Sequence, residues 1–235
     1  MVAGNFDAAR AELEESAARC WQVEDHLGRG MSLRDLGILA FHHGDDDRAA
    51  ELFRESLELL RPIGHRTNVA WTLLATARLA RRQRDPDRAR AEFQEALGLF
   101  REDGKKHNNL GVLSSLGVLE RSLGKFSVAD RYFRDVLTQL KRSGWTHLYP
   151  DNLYPLATLL LQSGSYRSGV RLAAAVPENE RDATNQLRED TADDAAAVQM
   201  VRVALGDASF AAEWAVGRAM TLDAAVEYAL SDDAR

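Results

Sequence analysis

The segment His42-His43-Gly44-Asp45-Asp46-Asp47 places imidazoles and carboxylates in one short run, and these are the side-chain types that meet a divalent cation. The same phase is held by Arg84-Asp85-Pro86-Asp87 and by Gly124-Lys125-Phe126-Ser127, forty and eighty residues on. The acids therefore read as turn residues that cap a following helix, with Ser127 in that role in the third copy, and no metal site is expected. His65, His107 and His147 read as solvated or groove-edge side chains of inter-repeat loops. Cys20 stands alone in the chain, which rules out an internal disulfide, a CxxC redox pair or a cysteine zinc site; beside Trp21 it reads as a buried packing residue. Neither a GxSxG nucleophile elbow nor a GxxxxGK[ST] phosphate loop occurs. Glu12, Glu14 and Glu15, like Asp190, Asp193 and Asp194, fit solvated helix faces. The expectation is a protein that is not an enzyme and needs no cofactor.

The chain that must position these groups has 235 residues, 45% of them hydrophobic, and a formal charge of −6. Of its 30 basic residues, 26 are Arg. From Glu178 onward 13 acidic residues face 5 basic ones, so the preceding part carries a net charge of +2. The negative total argues against direct nucleic-acid binding, which needs a basic footprint on the phosphates. No run reaches the roughly 18 uncharged apolar residues of a membrane helix, and the start Met-Val-Ala-Gly-Asn-Phe-Asp lacks the basic and apolar regions of a signal peptide. A cytoplasmic location is expected, with no membrane partner.

A forty-residue repeat organises the sequence. Ala49, Ala89 and Ala129 recur at that interval, as do Phe53, Phe93 and Phe133, then Leu57, Leu97 and Leu137, then Gly64, Gly104 and Gly144. Leu33, Leu73, Leu113 and Leu153 form a second series, and Gly44, Gly124 and Gly164 a third in which Arg84 once replaces glycine. Ala49, Leu52, Phe53, Ser56, Leu57 and Leu60 make an apolar stripe of helical period. Pro86 suits a first helical turn, and Gly64 follows Arg61 as a helix stop. Each unit is thus predicted to be a pair of helices with a small residue at the close approach. Single hairpins would leave apolar surface in water, and stacking neighbours buries it.

Leu36-Gly37 followed by Ala49, Phe53 and Ser56 resembles the tetratricopeptide-repeat pattern, as do Leu116-Gly117 with Ala129 and Phe133, and Ala77 with Ala89, Phe93 and Ala96. The resemblance implies an all-α fold, a right-handed α-solenoid of helical hairpins ending in a C-terminal helical cap. The period of forty, instead of the family's thirty-four, implies longer helices or loops. The expected organisation is a repeat array over 1–176, with a half repeat 1–27 and repeats at about 28–66, 67–106, 107–146 and 147–176, followed by a capping segment 177–235. Gly4, Ala9, Leu13 and Ser16 match a second helix without its first, as in a fragment of a longer array.

The tail from Ala204 to Leu230, including Phe210, Trp214 and Tyr228, together with Arg171-Leu172-Ala173-Ala174-Ala175, resembles the segment closing the helical-repeat region of bacterial LuxR-type and ATPase-linked transcriptional regulators. In those proteins the repeat region is a sensor or interaction module. Asp207, Glu213, Asp223 and Glu227 argue against a membrane-surface helix in this tail, and a helical cap is expected.

In tetratricopeptide folds the first helices of successive units line a concave face. Carried over residue by residue, that face holds Met31, Arg34, Ile38, Phe41 and His42, then Trp71, Leu74, Arg78, Arg81 and Arg82, then Ser114, Val118 and Arg121, and finally Asp151, Tyr154 and Thr158. The arginines outnumber Asp35 and Asp151, and a guanidinium fork suits carboxylate or phosphate. The positions matching the asparagine of the family's carboxylate clamp are Asp35, Ala75, Ser115 and Pro155, so clamp-type recognition is not expected. The resemblance implies a non-catalytic module for a protein or peptide partner of acidic character, or for a small anionic ligand. The alternatives are a homo-oligomerisation scaffold, a homodimer in its simplest form, built on an open N-terminal edge, and a stand-alone helical-repeat enzyme.

Overall fold

Apolar stripes interrupted every twenty residues or so by Gly-Asp or Gly-His turns fold as antiparallel helix pairs, because each helix has one face to bury and a short turn to do it across. A computed structural model describes residues 3–102, 108–178 and 191–234. Its helices are α1 (Ala3–Gln22), α2 (His26–His42), α3 (Asp46–Ile63), α4 (Arg66–Arg82), α5 (Pro86–Glu102), α6 (Asn108–Ser122), α7 (Phe126–Ser143), α8 (Pro150–Gln162), α9 (Tyr166–Ala175), α10 (Thr191–Leu205), α11 (Asp207–Arg218) and α12 (Leu222–Leu230), with 3-10 turns at Thr146–Leu148 and Asp232–Ala234. No strand occurs among the described residues. The fold is an all-α, tetratricopeptide-like solenoid of helical hairpins with a C-terminal helical cap.

Forty residues are filled by α2 with 17, a three-residue turn, α3 with 18 and a two-residue turn before α4. The excess over the family period therefore lies in helix length. Asp45 and Asp85 cap α3 and α5 by accepting from the backbone N–H of Arg48 and Arg88, at 3.1 Å each. Gly64 and Gly144 end α3 and α7 in the left-handed conformation, whereas Gly104 lies outside the described residues. Arg84, in the glycine phase of the first turn, adopts the same left-handed region at φ 60°. Two capping expectations are corrected. Asp46 faces Arg82 instead of the helix start, because the guanidinium on α4 is the stronger partner. Lys125 occupies the N-cap position of α7 with no side-chain bond, so Ser127, two residues inside, does not cap.

Within the hairpins, Phe53, Phe93 and Phe133 are at most 1% exposed. A Cβ on Gly37 would overlap the Phe53 ring, and one on Gly117 would press on Phe133, which explains the glycine in Leu-Gly: the aromatic ring sits against bare backbone. Truncating such a ring costs about 3–5 kcal/mol through lost transfer energy and a cavity. Ser56, also fully buried, donates to the Gly30 carbonyl at 2.7 Å, so its hydroxyl is satisfied inside the core. Leu97 and Leu137 are buried like the ring, but Leu57 in the same phase is only half-buried. Cys20 is half-buried, which corrects the buried reading; its sulfur fills the space a Cβ on Gly28 would need.

The chain forms two compact units, Met1–Ser115 and Leu116–Arg235. In the second, α10 packs on α8 and α9, α11 on α9, and α12 on α7, α8 and α9. Leu161, Val170, Ala197 and Val201 form the core there, with the stacked rings of Phe210 and Trp214 against it. The tail's acids meet bases of the hairpins it covers: Glu213 accepts from Arg171 at 2.5 Å and Glu227 from Lys141 at 3.0 Å. Gly217 lies so close to the Arg171 carbonyl that a Cβ would overlap it.

Candidate interaction face

In the first unit, α2 and α4 present the arginines of the repeat side by side. Arg34 is held from two directions: its Nε donates to Asp35 at 2.8 Å and its Nη1 to the Asn68 side-chain oxygen on α4 at 3.2 Å. Asn68 is placed by His65, the N-cap of α4, whose Nδ1 accepts from the Asn68 backbone N–H at 3.4 Å. Arg82 reaches back from the end of α4, donating to the Phe41 carbonyl at 2.7 Å and to both carboxylate oxygens of Asp46, with its guanidinium 3.6 Å from the centre of the Phe41 ring. Arg78 donates from Nε to Ser115 Oγ on α6 at 3.3 Å.

These contacts leave a cationic surface around His42. The residue is exposed and forms a T-shaped pair with Phe41, and the imidazole pKa lies below its ordinary 6.5. Partial burial is the main cause, followed by the positive charges of Arg78 and Arg82 and by His43. His42 is thus a neutral acceptor and donor at pH 7 within reach of two guanidinium fields.

The remaining predicted positions divide into surface and packing. Met31 is 38% exposed, while Ile38 leans on the cluster of Phe41, Ala49, Phe53, Ala75 and Leu79. Trp71 meets Phe100 of α5 in a T-shaped pair at 5.0 Å between centres, so its indole packs within the hairpin. Arg81, Ser114 and Val118 are half-buried, and Asp151 is exposed. Phe41, Leu74, Arg121, Tyr154 and Thr158 are buried, which corrects the expectation that they line an open face. The Arg121 guanidinium instead donates to the Thr158 hydroxyl, tying α6 to α8. In the run His42 to Asp47 the acids serve as cap and ion-pair partner, and no group of three metal-ligating side chains occurs among the described residues. His147 is exposed on the turn before α8. His107 and Asp190, and the side chains of Asp193 and Asp194, lie outside the description. No helix is long and apolar enough to cross a membrane among the described residues.

Asn68 and Ser115 are the contributors that sequence reading missed. A signal existed for the first: Asn68 and Asn108 share a phase of the forty-residue repeat and both are buried, a position that demands a hydrogen-bonding role.

Comparison with known proteins agrees with this architecture. Residues 1–61 match the tetratricopeptide repeat family, so the chain contains a region of that repeat covering α1, α2 and most of α3. No curated protein matches the chain significantly. Among solved structures, the crystal structure of BtubC (BKLC) from P. vanneervenii is similar with a TM-score of 0.61 and 17% identity, covering 85% of this chain and 92% of that one. At that identity the likeness concerns the fold. Tetratricopeptide repeats are typically non-catalytic scaffolds for contacts between proteins.

Proposed function

We propose that the chain is a non-catalytic interaction module whose α2–α4 face binds an acidic segment of a partner protein, with a small anionic ligand as the simpler occupant of the same charges. The observation that carries this reading is the positive field of Arg78 and Arg82 at His42, which an incoming carboxylate would relieve. Arg34 and Arg82 pair with Asp35 and Asp46 and shape the face, and in this reading Arg78 and Arg81 of α4 turn their charge to the ligand. The tail's likeness to regulator proteins supports a setting in which this module is the sensing or docking part of a bacterial transcriptional regulator in the cytoplasm.

The test titrates the full chain with a labelled peptide rich in Glu and Leu and with its counterpart carrying Lys for Glu. The acidic peptide should bind and the basic one should not. Arg78→Ala with Arg81→Ala should weaken binding by about 3 kcal/mol, the loss of two charge-assisted hydrogen bonds. Equal binding of the two peptides, or unchanged affinity in a folded double variant, defeats the reading.

A further inference from the structure

On the opposite side of the same unit, α3 and α5 wall a groove of about 640 Å³ whose floor is Thr76 and Leu79 of α4. Along α3 the groove is edged by Glu51, Arg54, Glu58 and Arg61, charges that alternate in sign at spacings of three, four and three and so share one face of the helix. Each is largely exposed and held in place by a neighbour: Arg54 by Glu58 at 2.8 Å, Glu51 by Arg48 at 3.0 Å, Arg61 by Glu95 of α5 at 2.9 Å. The walls are therefore ordered before any partner arrives, and each carboxylate keeps lone pairs for a second donor.

This order of charges has a symmetry. Glu51 with Arg61, and Arg54 with Glu58, are opposite pairs that share one midpoint, position 56, and so do the groove-lining Ala50 and Pro62. A helix with that pattern, turned end for end about position 56, is complementary to itself. We propose that two copies of the chain pair through this groove, with their α3 helices antiparallel across a two-fold axis at position 56. Glu51 then faces Arg61 of the partner subunit, Arg54 faces Glu58 of the partner subunit, and small Ala50 meets the partner's Pro62. Such an isologous contact repeats every ion pair twice.

Two further observations point to this helix in particular. Leu57, beside the axis, is the member of its series left half open, where Leu97 and Leu137 are buried. It lines the same groove and adds apolar surface beside the row of charges that sets register. The code is also absent from the sister helices: the matching positions are Ala91, Gln94, Gly98 and Arg101 on α5, and Arg131, Arg134, Thr138 and Lys141 on α7. The pattern belongs to α3 and is not a general feature of the repeat.

Sedimentation of the full chain over a wide concentration range tests the pairing. The wild-type chain should show a reversible monomer–dimer equilibrium. Arg54→Glu and Glu58→Arg each put like charges together twice across the axis and should raise the dissociation constant roughly tenfold or more. Each also breaks the pair within the helix, so the decisive sample is their mixture. There the two carboxylates of one variant, at positions 54 and 58, face the two guanidinium groups of the other, and a heterodimer should form although neither variant pairs with itself. Circular dichroism confirms folding, which substitution at positions this exposed leaves intact. A monomer at all concentrations, single variants that dimerise as tightly as wild type, or a mixture no tighter than its components overturns the proposal.

Discussion

The first-helix faces of the two units descend from one repeat yet present different surfaces. In the first, α2 buries six of its 17 residues, its Arg34 engages Asp35 and Asn68, and Arg82 of α4 engages Asp46. In the second, α8 buries 11 of its 13 residues, because α10 and α12 pack over it and its hairpin. Arg121, one period after Arg81, is only 5% exposed and points its guanidinium at Thr158. The same arginine phase thus gives a half-open charge in one unit and an internal strut in the other. What a repeat position does is set by whatever lies over it.

Detaching the cover should break that comparison most. Gly217→Ala forces a Cβ into the Arg171 carbonyl, a clash with backbone that no rotamer relieves, so α11 must lift from α9. A loss of about 3 kcal/mol is expected in denaturant unfolding followed by the fluorescence of Trp214, and an unmoved midpoint contradicts the tight contact. Next comes the arginine pair itself. Arg121→Ala removes a buried side chain and its bond to the Thr158 hydroxyl, which keeps its own donation to the Pro155 carbonyl, and the expected cost is about 2–3 kcal/mol. Arg81→Ala, on the more open face, should stay within about 1 kcal/mol. Equal costs at the two sites erase the distinction.

The smallest effect sharpens the electrostatics of the open face. The folded-state pKa of His42 is depressed, so below 6.5 the unfolded chain takes up its proton before the folded chain does. Stability should therefore rise with pH between the depressed value and 6.5 and be flat in this respect above it. In His42→Asn that part of the slope should vanish, measured as the difference between wild-type and variant unfolding midpoints across pH 5 to 7. An unchanged slope removes the field of Arg78 and Arg82 from the account.

Much of the fold was legible because its signals are local. Phe53, Phe93 and Phe133 announced the buried stripe by spacing alone, and Asp45, Asp85 and Gly64 announced the turns by chemistry that needs no distant partner. Ser127 failed as a cap because the helix start lies at Lys125–Phe126, a shift of two residues that pattern does not resolve. The face was legible in membership but not in use. Arg34, Arg78, Arg82 and Arg121 occupy equivalent strips, and nothing in their own neighbourhood says that one meets Asn68, another Ser115, another Asp46 and the last Thr158, across 34 to 37 residues.

By itself the sequence determined the helical hairpins, their forty-residue period and the acidic tail, because stripe, cap and charge are properties of a helix and its own ends. The tertiary structure decided which arginines stay open, which acids neutralise them and which leucine of the series remains half exposed. Burial and ion pairing depend on what other helices bring to the same place, and a one-dimensional pattern does not contain that.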